Sequence, residues 1–103
     1  MAITQAGAVG TSATTVYTSS STSALTCMFF MNENASARTL DLHVVKSGDT
    51  AGVTNKIVKQ ISIDGGDTYV INLEKIVLDN GDTMQAIASN ASSVYATVSS
   101  VAI

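Results

Sequence analysis

The run Ile61-Ser62-Ile63-Asp64-Gly65-Gly66-Asp67-Thr68 is echoed further along the chain by Ile76-Val77-Leu78-Asp79-Asn80-Gly81-Asp82-Thr83. Each copy reads as strand, tight turn, strand. Gly-Gly and Asn-Gly supply the positive φ angles that a two-residue hairpin turn demands, and the flanking Asp side chains can bond the turn backbone. No stretch of the chain offers a convincing helical period, so these turns punctuate strands. Leu40, Leu42 and Val44 alternate with Thr39, Asp41 and His43 as a half-buried strand should. After the turns, Tyr69, Ile71 and Leu73 form one inward parity, and Met84, Ala86 and Ala88 form another. Ile57, Ile61 and Ile63 predict a further inward parity with Lys59 as the dissenting member, which an edge position explains. In the last strand Val94, Ala96 and Val98 give way to Val101 and Ile103 on the opposite parity. One extra residue reverses the two faces, so a bulge is expected at Ser99-Ser100.

Toward the N-terminus, Gly7 and Gly10 interrupt a small, polar stretch, and residues 1–13 read as an extended arm. Thr14 to Thr18 is a short β-branched strand. The segment Ala24 to Met31 is apolar on both parities: Leu25, Cys27, Phe29 and Met31 share one face, and Ala24, Thr26, Met28 and Phe30 share the other. Only one of these faces can meet a single core, so the other needs a partner. Met28 and Phe30 are the expected partner-binding face, together with Ile3, Gln5 and Val9 of the arm. The resulting expectation is one all-β domain over residues 14–103, an antiparallel sandwich of about seven to eight strands with jelly-roll or immunoglobulin-like topology.

Charged residues make up only 13% of the chain, against roughly a quarter in ordinary globular domains, so something other than charge must cover the surface. Thirteen serines and thirteen threonines do so. A net charge of -3 with five scattered Lys and Arg gives no phosphate-binding face, so nucleic acid is not an expected partner. No segment approaches the length of a membrane-spanning helix, and the first residues lack both the basic head and the apolar core of a signal peptide. Cys27 is the single cysteine and is expected as a buried structural thiol in a reduced compartment. His43 is the single histidine, expected on an outward parity beside Asp41, solvated or at an interface. One His and one Cys fall short of a structural zinc set, no G-x-S-x-G elbow occurs, and no catalytic residue, metal or cofactor is expected. The Asp-flanked turns suit a hard cation by ligand type, but their spacing is too short for an EF-hand loop. A carbohydrate-binding or host-adhesion module is a distinct alternative. Without Trp it would depend on Tyr17, Tyr69 and Tyr95.

Thr15-Val16-Tyr17-Thr18, Phe30-Met31-Asn32-Glu33-Asn34, Val44-Val45-Lys46-Ser47-Gly48 and Gly81-Asp82-Thr83-Met84-Gln85-Ala86 together resemble a class of small β-sandwich proteins from tailed-phage structural gene clusters. The resemblance covers most of the chain after the arm and consists of strand and turn patterns. It implies a virion structural protein, folded in the host cytoplasm before assembly. Its implied role is a capsid decoration or cement protein on the outer capsid surface, or alternatively a tail, baseplate or fibre component. It further implies the major capsid protein or other virion subunits as partners, and homo-oligomers that would be trimers at a capsid threefold axis.

Overall fold

Alternating burial along short β-branched segments produces nine strands among the described residues of the computed structural model, which are 2–71 and 76–103. They are β1 (Ala2–Ala8), β2 (Thr14–Thr18), β3 (Ser23–Asn32), β4 (Arg38–Val45), β5 (Lys56–Ile63), β6 (Thr68–Ile71), β7 (Ile76–Leu78), β8 (Thr83–Ala88) and β9 (Val94–Ala102). A short 3₁₀ turn, Val53–Asn55, precedes β5. Leu73, expected to continue the parity of Tyr69 and Ile71, lies outside the described residues, as does Met1 of the arm.

Two antiparallel sheets stack into a sandwich. One runs β1-β9-β3 and then β6 and β7, which pair with opposite ends of β3 and so share one interrupted lane. The other runs β2-β8-β4-β5. With β6 and β7 counted as one lane, eight lanes wind between the two sheets in jelly-roll order, which decides between the two topologies expected from the sequence. The core lies between the sheets around Leu25, Met28, Phe30, Leu40, Leu42, Ile63, Leu78 and Met84. Each such side chain contributes about 1.5–3 kcal/mol by leaving water. Leu40 and Leu42 face inward as read from the sequence, and so do Met84, Ala86 and Ala88.

Four expectations are corrected. The stretch before Thr14 is extended, but it is part of the sandwich. Residues Ala2 to Ala8 pair with β9, the Val9 amide donates to the Val94 carbonyl at 2.7 Å, and the Val9 side chain is buried in the core. Small, Gly-punctuated residues here allow a strand with a bulge between Gln5 and Gly7, so the arm adds a ninth strand.

The bulge near Ser99-Ser100 exists, but on the partner strand. Leu25 pairs with Ser100 and Cys27 with Ser99, so Thr26 is the extra residue and β9 itself alternates without interruption through Ser100. Thr26 Oγ1 donates to Ser99 Oγ at 2.9 Å across the irregularity.

The inward parity of β5 also shifts. Gln60 has φ 49°, and the pairing with β4 slips on both sides of Leu42, so Ile57 points outward while Ile61 and Ile63 point in. Lys59 does lie on an edge strand.

Finally, the two Asp-flanked turns are not hairpins. Asp67 N–H bonds to Asp64 O and Asp82 N–H bonds to Asp79 O, both at 3.0 Å, yet β5 and β6 belong to different sheets, as do β7 and β8. Only the third residue of each turn has positive φ, 79° at Gly66 and 90° at Gly81. A type I′ hairpin turn needs two such residues, whereas one at the third position is the type II pattern, which splays the flanking strands and lets the chain cross between sheets.

Both crossings are held alike. Asn32 N–H donates to Asp67 O and Gly66 N–H to Asn32 O; Ser19 N–H donates to Asp82 O and Gly81 N–H to Ser19 O. At the first, the backbones approach so closely that a Cβ on Gly65 would lie 2.2 Å from the Ala35 carbonyl oxygen. At the second, the amides of Ser47 and Asp79 each donate to the Asp82 carboxylate at 3.0 Å and hold its pKa below the usual carboxylate range. A carboxylate with a depressed pKa stabilises the fold above its unfolded pKa, and that contribution is lost as pH falls through the folded value. Asp82→Asn is therefore expected to lower the melting temperature at neutral pH and to narrow its difference from wild type in acid. Melting curves across a pH series check this.

Candidate functional site

The outward positions of the five-stranded sheet build a continuous surface from four lanes. Strand pairing places Gln5, Thr97, Phe29 and Val70 side by side across β1, β9, β3 and β6. On one side of this row stand Tyr95, Met31 and Thr68, and on the other Ile3, Ser99 and Cys27. Val77 of β7 extends the surface along the interrupted lane. Phe29 is 41% exposed, Met31 38% and Ile3 70%. None of these outward positions carries Asp, Glu, Lys or Arg. Antiparallel sheets usually turn polar residues to water on their outer face. This one offers aromatic, thioether and aliphatic groups separated by hydroxyls.

The other sheet treats its outer face differently. Asp41 and Lys56 form an ion pair at 3.5 Å, Lys59 is exposed, and the segment after β4 folds back over His43. His43 has the expected outward parity, but it is buried rather than solvated. Its Nδ1 lies 3.1 Å from Gly52 O and 2.9 Å from Asn55 Oδ1. The Gly52 amide donates to that same Oδ1, so both Nδ1 partners are acceptors and Nδ1 carries the proton. Nε2 is buried and has no partner among the described residues. The Asn55 clasp, completed by Nδ2 donating to Thr50 O, explains why this loop covers the sheet.

No family model, curated protein or solved structure matches this chain. The geometry itself has to identify the site.

Of the five residues expected to bind a partner, Ile3 and Gln5 lie on the uncharged face. Val9, Met28 and Phe30 do not, because all three are core residues. The reason is the bulge: an extra residue at Thr26 reverses the parity of β3, so that Leu25 before it and Met28 and Phe30 after it all point inward. Phe29 and Met31 thereby become the outward pair, and Cys27 beside them is half-buried rather than a core thiol. Val70, Val77 and Tyr95 were also missed; the outward parity of each was readable from its inward neighbours. Of the three tyrosines, Tyr17 and Tyr69 pack partly buried against the core, and the Tyr17 hydroxyl is 3.0 Å from Ser23 Oγ. That leaves Tyr95 as the one presented on this face.

Among the described residues, no three His, Cys, Asp or Glu side chains converge as metal ligands would. No helix among them is long and apolar enough to cross a membrane.

Proposed function

We propose that this chain is a virion structural protein of the capsid-decoration kind, which acts by binding other protein subunits. The observation that carries this reading is the uncharged, partly apolar outer face of the five-stranded sheet. Contiguous exposed apolar surface marks sites of association, and interface centres are depleted in charge and enriched in aromatic residues and Met. The jelly-roll order adds limited support, since viral capsid domains share it with lectins and cupins, and function has to be argued from the site.

Quantifying this chain against the major capsid protein in purified particles tests the proposal. A decoration protein is expected near parity with the lattice subunits. A small fraction of that number would move it to the tail, baseplate or fibre, and absence from particles would overturn the virion reading.

A further inference from the structure

We infer that the outer face of the five-stranded sheet is covered by the same face of a second copy of this chain, related to the first by a two-fold axis. The inference rests on the assembly reading above and names the partner of that face.

Charge is the first argument. The chain carries a net charge of -3, yet no strand position of this face among the described residues is charged, and Glu33, exposed one step beyond the end of β3, stands only at its rim. A two-fold axis brings each residue near it close to its own equivalent, so a charged residue there meets a like charge. The uncharged face avoids that repulsion. A surface built to select a different partner ordinarily uses complementary charge for register and discrimination, and the described strand positions of this face offer none.

Area is the second. Four lanes about 4.8 Å apart, crossed by strands about 30 Å long, make a face of about 600 Å², which doubled over two copies reaches the roughly 1,200 Å² lower bound of stable interfaces.

The arrangement of side chains is the third. Phe29 and Met31 stand on β3 and Tyr95 on β9, the two inner lanes of the sheet, while Ile3 and Val77 lie on its outer lanes. Large anchors therefore sit centrally, where binding energy concentrates, and Thr97 and Ser99 beside them can exchange hydrogen bonds with the partner. Two such sheets stack in the same way as the two within the sandwich, about 10 Å apart with strands nearly aligned.

Sedimentation equilibrium of the purified full chain, from low to high micromolar concentration, tests this. The wild type is expected to be a dimer. Phe29→Lys, which places two ammonium groups near the axis, is expected to weaken it at least 100-fold, and Met31→Lys similarly. Val53→Lys, at an 86% exposed apolar residue on the 3₁₀ turn, is expected to leave it intact. Circular dichroism establishes that each variant is folded; if Phe29→Lys is not, Val70→Lys on the outer lane takes its place. A wild type that stays monomeric, a trimer, or a dimer indifferent to these substitutions overturns the inference. Binding to purified particles separates the two readings. A monomer that binds particles and loses binding with Phe29→Lys leaves the assembly reading standing with a foreign partner, whereas a monomer that does not bind loses both.

Discussion

Phe30→Ala is expected to destabilise the fold by about 3–5 kcal/mol, the usual cost of truncating a buried aromatic side chain. Phe30 has 0% exposure and lies in the core between the sheets. Its removal leaves a cavity that close-packed neighbours on both sheets fill only in part. A domain of ordinary stability has about 5–15 kcal/mol in total, so the variant would be marginal. Phe29→Ala, one residue earlier, is expected to cost the monomer less than about 1 kcal/mol, because its ring projects from the outer face. Urea denaturation of both variants at low protein concentration measures the difference. Equal or reversed costs would refute the parity assigned to β3.

The second large effect is expected at Asn32, which is buried and whose amide joins three parts of the chain. Nδ2 donates to the carbonyls of Ser36 and Ile63 at 2.9 Å and lies 3.3 Å from that of Asp64, while Oδ1 accepts from the Asn34 amide at 3.0 Å. Asn32→Ala leaves these groups without their partner. Each group left buried and unsatisfied costs about 1–3 kcal/mol, and relaxation toward water recovers part of this, so a net loss of about 3–5 kcal/mol is expected. Asn32→Asp should be at least as damaging, since it turns a carboxylate oxygen toward carbonyl oxygens. Chemical denaturation of both variants, with hydrogen exchange at the Gly66 amide that bonds to Asn32 O, is the measurement. A near-neutral Asn32→Asp would show that the amide is not the clasp described.

The sandwich was legible because its information is local. Alternation at Leu40 and Leu42, and at Met84, Ala86 and Ala88, identifies inward faces without reference to the rest of the chain. The destination of a strand is less local. Asp64-Gly65-Gly66-Asp67 looks like a hairpin turn, and whether it is one depends on whether one or two residues adopt positive φ, a choice that glycine leaves open. The outward face of β3 escapes a periodic reading for a related reason. Ala24 to Met31 is apolar on both parities, so periodicity could not choose between Phe29 and Phe30. The deciding feature is the bulge at Thr26, which leaves no trace in a run apolar on both parities; the parity change near Ser99-Ser100 is unrelated to it, because β9 alternates through Ser100 and Val101 takes the outward parity. His43 was misplaced because a polar loop of Ser, Gly, Asp and Asn looks open, whereas the Asn55 clasp folds it down.

The position of β9 between β1 and β3 has a consequence for the order of events during synthesis. The first strand and the third have no direct pairing, and the lane that joins them is made after both. Until Val94 to Ala102 has been made, β1 has no partner in its sheet, and the surface carrying Phe29, Tyr95 and Ile3 does not exist as a surface. Pairings so distant in sequence form slowly, because loop-closure entropy is lost before contacts return it. Topology thus ties this outer face to the synthesis of β9, and a product that stops before Val94 would lack the face as well as the strand.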